Sequence, residues 1–204
     1  MTNPAPEIAN VSAEAALIGA ARGGSLDAFN ALVELHQRAA YNLCLRMLGS
    51  SAAAEDAAQE AFLSAFRHID SFKGENVRPW LMRIAANACL DELRRRGRRP
   101  SVSLDAPVPG TDDPPDPADT TPGPEALALG REQRDAIQAA LLQLPHDQRL
   151  AVVMCDVQGF AYEEIAETMR TSVGTVKSRI ARGREKLRRE LGPRLEQVKG
   201  EHRQ

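Results

Sequence analysis

Aromatic side chains are scarce in this chain, Phe, Trp and Tyr making up 4% of 204 residues. Its cores must therefore be built mainly from Ala, Leu, Val and Ile, and the dominance of Ala and Leu favours helices. Long apolar runs are missing as well. No stretch of about 18 consecutive apolar residues occurs, so no membrane-spanning helix is expected. Met1 to Val11 lacks a basic region followed by an apolar stretch. A secretory leader is thus not expected there, and the protein is expected in the cytoplasm with no membrane contact of its own. Cysteine is limited to Cys44, Cys89 and Cys155, an odd number placed far apart. That excludes a disulfide framework and reads as small core residues. His36, His68, His146 and His202 are equally scattered, so no metal and no cofactor is assigned. Neither paired carboxylates at metal-ligand spacing nor a nucleophile constellation occurs, and the chain is not expected to be an enzyme.

A hydrophobic content of 43% is ordinary for globular cores. The net charge of −2 conceals a segregation. Arg78, Arg83, Arg94, Arg95, Arg96, Arg98 and Arg99 are opposed within their stretch only by Asp91 and Glu92. Between Arg170 and Arg189 the basic residues are Arg170, Lys177, Arg179, Arg182, Arg184, Lys186, Arg188 and Arg189, opposed by Glu185 alone. One such block reads as a solvated helix face. Two, each ending a helical domain, point to a polyanionic partner.

Between the blocks, Ser101 to Glu125 holds seven prolines and five aspartates with no basic residue. Such a segment neither forms helix nor buries a core and is expected to be a flexible acidic linker. At about 3.1–3.3 Å per residue it reaches about 75–80 Å, more than two turns of B-DNA at about 34 Å each. The expected organisation is all-α: a helical domain over 13–99, a linker over 100–125 and a second helical domain over 126–191.

In the first domain the apolar spacing predicts helices from about Ala13 to Arg22, Asp27 to Leu48, and Ala52 to Ile69, then one opening at Pro79. Trp80 reads as the core anchor of that last helix. In the second, helices are expected at Ala126 to Leu142, Gln148 to Asp156, Tyr162 to Met169 and Val173 to about Leu191. The last two are joined by Arg170-Thr171-Ser172, which matches a DNA-binding helix-turn-helix in length and pattern. Ile165, Ala166, Met169, Val173, Val176 and Ile180 face its core, and Ser172 can cap the second helix. Two positions break local rules. Arg170 stands where a left-handed glycine is usual, and Ala161 where a Ser cap before Glu164 is expected, each at a cost of about 1 kcal/mol.

The run Gln158-Gly-Phe-Ala-Tyr-Glu-Glu-Ile-Ala166, then Val173-Gly-Thr-Val-Lys-Ser-Arg-Ile180 and Arg182-Gly-Arg184, resembles region 4 of the extracytoplasmic-function sigma factors. So does Leu144-Pro145 with Gln148-Arg149. The first half resembles region 2 of the same family through Glu55-Asp-Ala-Ala-Gln-Glu-Ala-Phe62, Pro79-Trp-Leu-Met-Arg-Ile-Ala85, Asn87, Asp91 and Arg94-Arg95-Arg96. The resemblance implies a subunit that binds core RNA polymerase, captures minus-ten bases with region 2 and reads the minus-thirty-five duplex with region 4. Promoter DNA and core polymerase are then the partners. Many members are also held by an anti-sigma factor, which no residue here proves.

Carried over by position, Asp56, Gln59 and Glu60 match the polymerase-binding face. An Asp-x-x-Gln-Glu on a helix is by itself ordinary solvated surface, so this assignment rests on the resemblance. Phe72, Lys73, Arg83 and Asn87 match positions near the captured minus-ten bases, where a flipped base needs a walled pocket and hydrogen bonds to its edge. The loop from Phe72 to Trp80 is one residue shorter than is common in the family. In the second domain Lys177, Ser178, Ala181 and Arg182 fall on the base-reading face, and Thr175, Arg179 and Arg184 where phosphate contacts are expected. A polymerase-independent helix-turn-helix regulator would share this domain but leaves the N-terminal half unexplained.

Overall fold

The computed structural model describes residues 5–74, 76–98 and 124–201. Among the described residues every regular element is a helix. The helices are α1 (Ala5–Arg22), α2 (Leu26–Leu48), α3 (Ser51–His68), α4 (Val77–Arg98), α5 (Pro124–Leu142), α6 (His146–Val152), α7 (Tyr162–Met169) and α8 (Val173–Glu201). The chain divides into two compact units, Met1–Leu45 with Ala52–Arg98, and Arg46–Ser51 with Arg99–Gln204. Of the expected linker, 100–123 lies outside the described residues, and Pro124 already opens α5 at a position where its missing N–H costs nothing.

The first unit is packed with small residues. On α3 the buried face is Ala54, Ala57, Ala58, Ala61 and Ala65, so neighbouring backbones can approach closely. Phe29, Leu32 and Leu43 of α2 and Leu81, Met82 and Ala85 of α4 are buried as well. Cys44 and Cys89 are fully buried, and the contact between their thiols together with desolvation pushes Cys89 far up, leaving it unreactive. His36 is buried with Nε2 3.4 Å from the Glu14 carboxylate, which ties α1 to α2; burial holds its pKa below the usual value.

Several helix boundaries differ from expectation for local reasons. α1 begins at Ala5 instead of Ala13, because Pro6 is tolerated in a first turn and Ala and Glu propagate the helix. α4 begins at Val77, two residues before Pro79, because the Asn76 side-chain oxygen accepts the Arg78 N–H at 3.0 Å. α8 runs past Leu191 through Gly192-Pro193 to Glu201.

In the second unit α6 does not run to Asp156 as a plain helix. Val153–Val157 forms a π-turn, closed by the Gln158 N–H on the Val153 carbonyl at 3.0 Å. Buried Arg149 donates to the carbonyls of Leu142 and Leu144, satisfying groups left over at the end of α5. Cys155, expected in the core, is partly exposed in the π-turn.

The α7–α8 turn has the anticipated form. Arg170 is left-handed at φ 50°, the only non-glycine of positive φ among the described residues, and the Thr171 N–H reaches the Ala166 carbonyl at 3.0 Å. The Ser172 hydroxyl accepts the Thr175 N–H at 3.1 Å, capping α8. Ala161 offers no side-chain cap, but half a capping box survives: its N–H donates to the Glu164 carboxylate at 2.8 Å. Ile165, Ala166, Val176 and Ile180 are buried, whereas Met169 and Val173 sit at the edge of the core.

α8 crosses α6 where Gly183 meets Val152. A Cβ on Gly183 would lie 2.6 Å from Val152 Cγ2. Gly183→Ala is predicted to destabilise the protein, because overpacking of about 1–3 kcal/mol outweighs the ~1 kcal/mol of helix propensity gained. Urea unfolding of the full chain tests this, and an unchanged or higher midpoint would contradict the close crossing.

Candidate nucleic-acid interface

With Val176, Ile180 and Gly183 turned inward, the geometry of α8 forces its other positions outward. Lys177, Ala181, Arg182 and Arg184 are exposed, while Thr175, Ser178 and Arg179 are half-buried. Lys177 sits 5.8 Å from the centroid of the Tyr162 ring, which steadies its ammonium beside α7. The Ser178 hydroxyl donates to the Thr175 carbonyl at 2.8 Å. Arg182 makes no hydrogen bond or ion pair with a described residue.

Arg179 and Arg184 are differently placed. Arg179 donates to Asp147 at 2.6 Å, and Arg184 grips Asp156 with two bonds at 3.0 and 2.5 Å. The same guanidinium lies 3.6 Å from Cys155 Sγ. The Arg184 hydrogen bond holds the Asp156 carboxyl below the usual carboxylate range, and Asp156 in turn raises Arg184. Sequence reading missed both carboxylates. Asp156 carries no signal of its own, because only the π-turn brings it under α8.

In the first unit the positions matched to minus-ten contacts fall into two groups. Arg83 and Asn87 lie one turn apart on α4, half-buried and exposed, and Trp80 precedes them on the same face. Lys73 is exposed. Phe72, expected to wall an open pocket, is buried, packed against Trp80 with ring centroids 5.1 Å apart. Gly74 covers it so closely that a Cβ there would meet the ring at 2.9 Å. Trp80 is only half-buried, so Phe72 takes the anchoring role that sequence assigned to Trp80. Beyond them the arginines ending α4 are partly internally paired, Arg94 with Asp91 at 2.6 Å and Arg95 and Arg96 with Glu92 at 2.7 and 2.8 Å. These pairs draw the Glu92 carboxyl below its usual range, through the Arg95 hydrogen bond above all.

Asp56, Gln59 and Glu60 are all exposed on the outer face of α3. Glu60 lies 3.6 Å from Arg67. Phe66 continues the apolar repeat of α3, yet it is 40% exposed, its ring edge-on to Phe29 at 5.0 Å. Leu63 is also exposed, one turn beyond Gln59 and Glu60. The acidic face thus continues into an apolar one. Among the described residues no cluster could hold a metal, and no helix is long and apolar enough to cross a membrane.

A helix-turn-helix with a basic outer face, in a chain with a second, separate helical unit, defines a two-unit nucleic-acid-binding architecture. The Sigma-70 region 2 family model matches residues 32–99, and that of Sigma-70, region 4 matches residues 134–187. The chain is 38% identical over 167 residues to the ECF RNA polymerase sigma factor SigE of Mycolicibacterium smegmatis, covering 80% of this chain and 62% of that relative. It is 39% identical over 172 residues to the ECF RNA polymerase sigma factor SigW of Bacillus subtilis, covering 82% and 91%. The solved structure of the sigma factor RpoE in complex with the anti-sigma factor NepR, from Bartonella quintana, matches with a TM-score of 0.64 at 26% identity, over 80% of this chain and 96% of that one. The chain belongs to the ECF sigma factors of RNA polymerase.

Proposed function

We propose that this chain binds core RNA polymerase in the cytoplasm, directs it to promoters and assists strand opening. The observation that carries the reading is the paired match to regions 2 and 4, in order, at 32–99 and 134–187. Asp56, Gln59 and Glu60 supply an exposed polar patch suited to a basic partner surface. Lys73, Arg83 and Asn87 offer groups for backbone and base edge, with Phe72 supporting the half-buried Trp80 from beneath. On α8, Lys177, Ser178, Ala181 and Arg182 form the base-reading strip, and Thr175, Arg179 and Arg184 flank it on the phosphate side. The RpoE–NepR structure supports an anti-sigma factor as a further partner class.

Start-site-specific transcription by core polymerase only when the chain is added is the expected result. Tight binding to an operator by the chain alone, with no effect on polymerase, would replace this reading with a polymerase-independent regulator. Asp56→Lys with Glu60→Lys is predicted to cost several kcal/mol in core binding by opposing like charges, while leaving the full chain's affinity for a minus-thirty-five duplex unchanged. Equal core affinity of double variant and parent would show that α3 is not the docking face. Arg182→Ala is predicted to cost about 1–3 kcal/mol on the preferred duplex and to relax discrimination. Uniform weakening on preferred and scrambled duplexes alike would mean that Arg182 meets phosphate and not base.

A further inference from the structure

The two arginines on the phosphate side of α8 already have anionic partners within their own unit. Asp147, at the start of α6, holds Arg179 at 2.6 Å. Asp156, in the π-turn that ends α6, holds Arg184 through both carboxylate oxygens. The two pairs stand on either side of the Gly183–Val152 crossing in the α8 sequence, one linking α8 to the start of α6 and the other to the π-turn that follows it. We propose that Asp147 and Asp156 are built-in counter-ions of the reading helix, which suppress sequence-independent duplex binding and so act as specificity-determining residues. The inference rests on α8 being the DNA-facing element.

The physical argument concerns what a phosphate gains. A free arginine that neutralises a phosphate releases a condensed counterion to bulk, and that entropy drives sequence-independent affinity. A guanidinium already neutralised by a tethered carboxylate offers little net charge. A phosphate that takes it leaves the carboxylate unpaired beside the DNA, and no ion escapes into solution. Arg182 has no such partner among the described residues, and Lys177 has only the neutral Tyr162 ring. The base-reading strip thus keeps its charge while its flank is muted. That arrangement favours sequence discrimination over bulk attraction.

The test measures association of the full chain with a scrambled and a preferred minus-thirty-five duplex across a salt series. It compares the parent with Asp147→Asn, Asp156→Asn and the double variant. Asn keeps the shape and a hydrogen bond but removes the charge. The double variant should bind the scrambled duplex about tenfold or more tighter at low salt, and its preferred-to-scrambled ratio should fall. The log-log salt slope should steepen by up to about 0.9 for each freed arginine. Adding Arg184→Ala to Asp156→Asn should abolish that variant's gain, whereas Arg184→Ala in the parent should barely move the slope. Glu163→Gln, which removes an exposed charge from α7, should give no comparable steepening. Unchanged or shallower slopes in the Asn variants overturn the inference, as does an equal gain from Glu163→Gln, which would make the effect one of net charge. Arg182→Ala separates the two levels: if it still weakens the preferred duplex, only the counter-ion role has failed. If it does not, the assignment of α8 to DNA falls too.

Discussion

Much of the second unit depends on how closely α8 can approach α6. Gly183 presses on Val152 with no room for a methyl group, and Ile165, Val176 and Ile180 fill the neighbouring core. Once that seat is fixed, the 3.6-residue repeat leaves no choice about what faces outward. The short left-handed turn at Arg170 and the Ser172 cap then set the angle of entry. Arg170 adopts a conformation costing an L-residue about 1 kcal/mol, and packing on both sides of the turn maintains it. The outward strip carrying Lys177, Ala181 and Arg182 is therefore a consequence of core packing, and a reading surface only on the proposed function.

The first unit answers the shortage of aromatic residues with alanine. Five buried alanines along α3 let its neighbours approach closely, so a modest set of Leu, Met and Ile suffices to close the core. Four of the unit's six aromatic rings stand in pairs, Phe29 with Phe66 and Phe72 with Trp80. Both pairs leave one ring partly exposed beside residues assigned to a partner, Phe66 near the acidic face of α3 and Trp80 on the row with Arg83 and Asn87. Such half-buried rings offer rigid apolar area at little entropic cost.

How much of this was legible in the sequence depended on the range of the interaction. Helix period, the Ser172 cap and the left-handed Arg170 are local, and all were readable from spacing and residue type. α4 was misread at its start because Pro79 looked like the opening signal, when Asn76 two positions upstream of Arg78 made the cap. Phe66 fitted an apolar repeat, and only the packing of α3 shows that its ring lies at the edge. The outward faces of α3 and α8 followed from periodicity. The ion pairs did not, since Asp147 lies 32 positions from Arg179 and Asp156 lies 28 from Arg184. No pattern announces a π-turn, so nothing in the sequence distinguished Asp156 from an ordinary surface acid.

Those pairs also change what the basic blocks mean. Counted along the chain, α8 carries a dense positive run, which alone would imply strong attraction to any duplex. Counted in space, Arg179 and Arg184 are offset by carboxylates of the same unit, Arg188 and Arg189 by Glu185, and three arginines of α4 by Asp91 and Glu92. Exposed pairs of this kind contribute little to stability, so their effect falls mainly on the field that an approaching polyanion meets. A subunit delivered to DNA by a large partner gains effective concentration from that partner and has no need of bulk affinity of its own. Weak intrinsic attraction then becomes an advantage, because the free chain is not sequestered on the excess of unrelated duplex. On the proposed function, internal charge pairing and dependence on polymerase are two sides of one physical arrangement.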